Sequence, residues 1–283
     1  MKYALIESSY NLSCCKACRA LGVRREGYYA WRRRKASPRH QQRRRLAGEV
    51  QRIFLQSDRI YGARRIAKTL AASGQPVARK TVGRIMQEQS LRPKAYRRYT
   101  VTTDSRHCLP IAPNLLQQHF AVSQPNTVWV SDFTYVPTDE GWLYLCTVVD
   151  LYSRRVVGYA MDSQITRHLA IQAFNNAFWR RRPDDTLIVH TDRGSQYCSA
   201  DFQALVWKHR ALSSMSRKGN PYDNACAETF FKTIKTECIN HHSFKTRKDA
   251  TVIISHYIEL FYNERRLHSS LGYRSPCQFE LAA

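Results

Sequence analysis

The sequence predicts two unlike parts: a basic, all-α first third, and behind it an α/β core in which a mixed sheet carries helices on its faces. Three observations carry this reading. Residues 1–100 hold 25 basic and 5 acidic side chains, a balance of +20, whereas residues 101–283 hold 20 and 17, a balance of +3. From Asn126 the pattern changes to apolar runs of strand length, the first three in meander order. Helical and strand segments then alternate, which is the order of a mixed sheet.

A chain of 283 residues suits about two domains. At 43% hydrophobic and 24% charged residues it is globular, not disordered. No stretch reaches the ~18 apolar residues of a membrane span, and the opening MKYALIESSYNLSCC lacks the apolar run of a signal peptide, so a cytosolic protein is expected. Nine cysteines, at 14, 15, 18, 108, 146, 198, 226, 238 and 277, are too scattered for a disulfide framework and are expected to be reduced. Cys15 and Cys18 form a CxxC, but no second cysteine pair follows and His40 is the nearest further ligand, so buried helix thiols are favoured over structural zinc.

In the first third, Cys14 to Leu21 reads as a short helix, Gly22-Val23 as a turn, and Arg24 to Arg34 as a second helix with Tyr28, Tyr29 and Trp31 beside the run Arg32, Arg33, Arg34, Lys35. A better-formed pair follows Tyr61-Gly62. Ile66 and Leu70 mark one helical face, Ser73-Gly74-Gln75-Pro76 breaks the chain, and Lys80 to Gln89 turns Val82, Ile85 and Met86 inward. This is helix-turn-helix spacing, with Arg79, Lys80 and Arg84 outward near the start of a recognition-type helix and Arg64 and Arg65 on the helix before it. A +20 segment repels itself unless an anion meets it, and a phosphate backbone is the commonest such partner; a solvated basic face and a membrane-surface helix are the weaker readings. Domain bounds are placed at 1–100 for this DNA-binding region, 101–125 for a linker of mixed charge, Pro and Thr, 126–240 for the core and 241–283 for a helical extension.

In the core, Thr127 to Val136 is apolar on both faces, as a central strand is. Pro137 to Gly141 turns the chain, Trp142 to Asp150 is a second strand, Ser153-Arg154 a second turn and Arg155 to Met161 a third strand. Ile165 to Arg180 has helical spacing, Thr186 to His190 is a short buried strand, and Ala200 to His209 is a further helix. Two acids stand out. An ionised Asp132 among Val128, Val130, Phe133 and Val136 costs several kcal/mol unless a cation or donors meet it. Asp192, just past a strand end, has an ordinary turn role when taken alone, and so has Asp150 at the end of the second strand. Asn220-Pro221 starts one more helix, on which Asn224, Glu228, Lys232 and Lys235 lie within about 80° of one another, beside an apolar stripe of Ala227, Phe231, Ile234 and Cys238. A Glu–Lys pair four apart is by itself a surface stabiliser of ~0.2–0.5 kcal/mol.

Glu228 stands 36 positions after Asp192, and Asp132 stands 60 before it. With these three, the segments CRALGVRREGYYAW (18–31), YGARRI (61–66), WVSDFTYV (129–136), GWLYLCTVVDLYSRRVVGYAM (141–161), HTDRGSQY (190–197), SRKGNPYDNACAETFFKTIKTE (216–237) and YNERRLHSSLGYRSP (262–276) make the chain resemble the DDE transposases with a retroviral-integrase-like core, and among them the downstream-frame transposase of the insertion-sequence-three family. The resemblance implies an RNase H-like catalytic core in which Asp132, Asp192 and Glu228 are the catalytic and metal-binding triad. It implies two Mg²⁺ ions, with Mn²⁺ as substitute, which fits three converging carboxylates that would otherwise repel one another. DNA cleavage and strand transfer at the ends of an insertion sequence are then the expected activity. Lys232 and Lys235 would hold substrate phosphates, and His190 and Asn224 would support the triad from outside it. A DNA-binding regulator without activity and a purely hydrolytic nuclease of the same fold are the alternatives. Expected partners are double-stranded DNA, as element end and target, further copies of the chain on that DNA, and the family's upstream-frame helix-turn-helix and leucine-zipper protein; no leucine heptad precedes residue 100, so the chain reads as the downstream product alone, in the bacterial cytoplasm at the nucleoid.

Overall fold

The structure of the protein is a computed structural model that describes residues 2–8, 13–33, 37–94, 110–184, 186–217 and 221–282. Six helices lead: α1 (Lys2–Ser8), α2 (Cys14–Ala20), α3 (Arg25–Arg33), α4 (Pro38–Gln56), α5 (Ala63–Ala72) and α6 (Arg79–Glu88). The Ser13 hydroxyl caps α2. Ser37 caps α4, and Pro38, which lacks an N–H, stands where a first-turn N–H has no intrahelical partner. Helices α1–α3 close on Ile6, Ala17, Cys18 and Tyr28, whose hydroxyl donates to Glu7. Helices α4–α6 pack through Val50, Ile53, Phe54, Ile66, Leu70, Val82, Ile85 and Met86. The 19-residue α4 is not predicted from the sequence; its charged first half, with Arg43, Arg44 and Arg45 in a row, masks an apolar stripe confined to its last turns. Arg34 and Lys35 of the basic run lie outside the described residues.

Strands β1 (Val128–Thr138), β2 (Gly141–Asp150) and β3 (Val156–Asp162) form the antiparallel meander. They are followed by α7 (Arg167–Arg181), β4 (Ile188–Thr191), α8 (Ser195–Cys198), α9 (Ala200–Lys208) and β5 (Leu212–Met215). The sheet order is β3-β2-β1-β4-β5, with β4 parallel to β1 and β5 parallel to β4. Alternation along β1 sends Trp129 to the side of α7 and α9, and Val128, Val130 and Val136 to the opposite layer. Asp132 shares the parity of that second set. Gly158 of β3 lets α7 lie directly on the sheet, since a Cβ there would stand 2.5 Å from the backbone nitrogen of Ala177.

The second layer is built by α10 (Ala225–Glu237), which follows a 3₁₀ turn at Pro221–Asn224, by α11 (Arg247–His256) and the π-helical run Tyr257–Asn263, and by α12 (Pro276–Leu281). The Asn263 amide closes on β3, accepting from Val156 N at 3.0 Å and donating to Val156 O at 3.0 Å.

The basic helices are seated on this layer. Tyr61 Oη donates to Arg265 O (2.9 Å) and accepts from Leu267 N (3.0 Å), and Arg65 Nε donates to Leu267 O (3.1 Å). Beneath them Glu237, at the end of α10, takes both arms of Arg266 (2.8 and 2.7 Å) and the Tyr257 hydroxyl (2.7 Å), with Arg65 at 3.6 Å. The sequence predicts a linker over 101–125. Residues 110–118 form neither helix nor strand, but they are a strap pinned to β5: Leu115 N donates to Ser214 Oγ (2.9 Å) and Met215 N to Pro113 O (3.3 Å). Residues 101–109 lie outside the described residues.

Breaking a buried ion pair by removing one partner costs about 3–5 kcal/mol, because the other charge stays buried. Glu237→Ala is therefore expected to lower unfolding free energy by about that much, measured by urea denaturation. A loss under about 0.5 kcal/mol, the range of ordinary surface substitutions, would show that the network is not a structural anchor.

Candidate active site

The acids at 132 and 192 are brought together by strand register. β4 pairs with β1 as far as Val130↔His190, so Asp132 and Asp192 each stand two residues beyond the last paired position of neighbouring strands, near enough for the charge of Asp192 to act on Asp132. β4 ends at Thr191 while β1 continues to Thr138, so the two strands part at the point where the acids stand.

Each carboxylate is held by the backbone next to it. Asp132 Oδ1 accepts from Phe133 N at 2.7 Å, and its Oδ2 accepts from Asn224 Nδ2 at 2.9 Å. Asp192 Oδ1 accepts from Gly194 N at 2.8 Å. A Cβ on residue 194 would meet Asp192 Oδ1 at 2.9 Å, so a larger residue there would have to push the carboxylate from this position. Burial, with the negative charge of Asp192 and then that of Glu228 adding to it, holds the Asp132 carboxyl well above the usual carboxylate range; the Phe133 N–H and Lys235 pull the other way. Glu228 projects from the first turn of α10, is exposed, and is raised by partial burial. Among the described residues no three His, Cys, Asp or Glu side chains lie close enough together to hold a metal ion, although the charges of both Asp192 and Glu228 reach Asp132.

The turn before α10 is anchored from several sides. His190 is fully buried; its Nε2 lies 3.0 Å from Asp223 O and its Nδ1 2.8 Å from Ser214 Oγ. A carbonyl only accepts, so Nε2 carries the proton and Nδ1 accepts from the serine. Burial holds His190 below its ordinary value, hence neutral. The histidine touches neither acid but ties β4 to the turn that carries Asn224. The Asp223 carboxylate, also buried, accepts from Arg217, Asn114 and Gln118, and the Arg217 guanidinium holds it far below the usual range. In the sequence either Asn220 or Asp223 suits the cap of the helix that Pro221 opens. The partners of Asp223 on the strap lie 109 and 105 positions away, and no local pattern signals them.

The remaining candidates fall into two groups. Lys232 is exposed, as are Arg64, Arg79, Lys80 and Arg84. Lys235 is not on an open edge: it is 7% exposed, with its Nζ 4.4 Å from the centroid of the Tyr135 ring on β1. The helical wheel places it correctly beside Glu228, but β1 covers that part of the face. Arg65 likewise turns into the protein, toward Leu267 O and Glu237. Asp150 caps the turn after β2, accepting from Asn126 N (2.7 Å) and Tyr152 N (2.8 Å).

Comparison with known proteins gives matches to family models, to curated relatives and to solved structures. Residues 122–221 and 210–276 match the integrase core domain family in two parts, and residues 41–99 match an HTH-like domain. The chain is 46% identical over 283 residues to the transposase InsF for insertion sequence IS3A of Escherichia coli K12, covering 99% of this chain and 98% of that one. It is 45% identical over 262 residues to a 31 kDa protein of insertion element IS600 from Shigella sonnei, covering 93% and 96%. Among solved structures, the simian T-cell lymphotropic virus intasome aligns over 76% of this chain and 70% of that chain (TM-score 0.45, 16% identity), and the HTLV-2 integrase catalytic core in complex with magnesium over 55% and 97% (TM-score 0.40, 18% identity). The integrase-core match and the sheet order described above make the core RNase H-like.

Burial holds the Lys235 ammonium down to about 8, against the opposing pull of Asp132. Between that value and the ordinary 10.5 the unfolded chain binds the proton and the folded chain has released it, so Lys235 makes stability rise as pH climbs through this window. Urea midpoints at pH 7.5 and about 9.5 are expected to show a larger gain with pH for the wild type than for Lys235→Met. Equal gains would mean that the lysine is solvated.

Proposed function

The chain belongs to the integrase-core transposases of the insertion-sequence-three family, and on that premise we propose that it cuts DNA at the ends of an insertion sequence and joins those ends to a target, using Asp132, Asp192 and Glu228 as its metal-binding catalytic triad. The observation that supports the assignment is the nearness of Asp132 and Asp192, just past the last β1–β4 rung and within the 122–221 match, with Glu228 following in the 210–276 match.

The donor set suits hard divalent cations. Three carboxylates offer only oxygen, with no thiol or imidazole among them, and burial with the charge of Asp192 raises the Asp132 carboxyl unless positive charge meets it. Asp132, Asp192 and Glu228 would hold two Mg²⁺, with Mn²⁺ as substitute. Bound there, the ions supply electrostatic stabilisation to the attacking and leaving oxygens of an in-line displacement at phosphorus.

The chain's own groups do the rest. Asn224 fixes the rotamer of Asp132 through Oδ2, and Gly194 fixes that of Asp192 through Oδ1. His190, neutral and donating to Asp223 O, keeps the turn before α10 against β4. Lys232, exposed one turn beyond Glu228, would hold a phosphate of the DNA strand. Arg79, Lys80 and Arg84 on α6, with Arg64 on α5, would bind the duplex backbone within the 41–99 match. Arg65 and Lys235, turned inward, would steady α5 and Asp132 respectively. No protein nucleophile is required, since water or a DNA 3′-hydroxyl attacks directly. Element ends, target DNA, further copies of this chain and the upstream-frame protein are the partners under this reading.

Asp132→Ala, Asp192→Ala and Glu228→Ala are each expected to abolish cleavage and strand transfer of labelled element-end DNA in Mg²⁺ while leaving DNA affinity within about threefold, because neutralised phosphates supply most of it. Arg79→Gln with Lys80→Gln and Arg84→Gln should do the converse, lowering the slope of log K against log salt by about 0.9 for each phosphate that is no longer neutralised. Strand transfer retained in any alanine variant would remove that acid from the site. Cleavage without joining by the wild type would leave a nuclease, and binding alone a regulator.

A further inference from the structure

The strap at residues 110–118 precedes the sheet and contributes no acid, yet it reaches the active-site turn by two routes. Directly, Asn114 Nδ2 donates to Asp223 Oδ2 at 3.0 Å and Gln118 Nε2 to Asp223 Oδ1 at 2.8 Å. Indirectly, Leu115 N donates to Ser214 Oγ (2.9 Å), whose proton goes to His190 Nδ1 (2.8 Å), and His190 Nε2 donates to Asp223 O (3.0 Å). The strap therefore grips Asp223 by its side chain and its carbonyl together. The next residue is Asn224, whose amide holds Asp132 Oδ2, and four residues further on is Glu228.

We propose that Asp223 is a positioning residue for the strand-transfer reaction, and that the strap, through Asn114 and Gln118, fixes the turn at residues 221–224 so that Asn224 aims Asp132 and α10 delivers Glu228 to the same metal site. The proposal rests on the triad assignment above. A merely structural Asp223 would need only the arm it shares with Arg217, six residues away. The two strap amides add long-range bonds to an already satisfied ion pair, and Gln118 is itself exposed, so it contributes little packing. Such bonds restrict where the turn sits. That restriction matters here because Glu228 stands in the first turn of α10, four residues beyond Asn224, so where the turn sits decides where Glu228 stands.

The test uses the full chain with Gln118→Ala, a surface change that leaves the catalytic and DNA-binding side chains intact, and Asp223→Asn, which keeps the shape and removes the charge. Four quantities are compared with the wild type: melting temperature without metal, affinity for element-end DNA, single-turnover strand-transfer rate, and the Mn²⁺ concentration that gives half of the metal-induced rise in melting temperature. Gln118→Ala is expected to keep melting temperature and DNA affinity, to lose about tenfold in rate, and to need severalfold more Mn²⁺; Asp223→Asn should lose more, since misplacing a reacting group by about 1 Å costs up to about 100-fold. A wild-type rate and Mn²⁺ midpoint in Gln118→Ala overturn the proposal, as does a rate loss in Asp223→Asn that merely follows a loss of folded protein. Absence of any Mn²⁺ response or strand transfer in the wild type is a separate result, which removes the triad assignment and this proposal with it.

Discussion

Asp132 and Asp192 are placed side by side by backbone pairing, against their own repulsion. The parallel β1–β4 pairing leaves each acid two residues past its last rung, and alternation along β1 decides which layer Asp132 faces. A one-residue slip would exchange Asp132 with Ser131 and carry the carboxylate to the opposite face. Two neighbouring carboxylates on a partly dry surface resist ionising together, so a site of this kind favours the arrival of positive charge. The local architecture answers that cost with neutral donors: one backbone N–H for each acid and the Asn224 amide for Asp132. Lys235 contributes the nearby positive charge, at the expense of its own hydration.

The same constraint explains how the helical parts are organised. Glu228 belongs to an element that packs on the sheet but whose first turn is set from outside, by His190 on β4, Arg217 after β5 and the strap. The far end of α10 is anchored by a second buried charge system, in which Glu237 faces Arg266, Tyr257 and Arg65. One helix therefore connects Glu228, a member of the proposed triad, to the seat of the basic α4–α6 unit. DNA phosphates bound on that unit would in this way be held at a defined place relative to the acids, as a reaction confined to element ends requires.

Much of this was legible in the residues. The strand with Asp132 announced itself because an acid inside an apolar run is costly, and the meander and α5–α6 followed from period and turn chemistry. What escaped was long-range or weakly patterned. β5 reads Leu-Ser-Ser-Met, too short and polar to signal a strand, and exists because β4 supplies a parallel partner. Asp223 was indistinguishable from a cap because Asn114 and Gln118 meet it only in the fold. Arg65 and Lys235 carried the right charge for DNA, but Glu237 and Tyr135, which claim them, lie 172 and 100 positions away. The ligand set itself came from spacing joined to family resemblance, since neither Asp192 nor Glu228 is unusual alone.

The central claim is that Asp132, Asp192 and Glu228 converge on shared divalent metal. It is tested most directly by anomalous diffraction from crystals of the full chain bound to element-end DNA and Mn²⁺. Anomalous peaks are expected between the two aspartates, with Glu228 Oε drawn into the coordination shell of one of the ions. Manganese bound elsewhere, or held by the aspartates while Glu228 stays at the solvent face of α10, would contradict it.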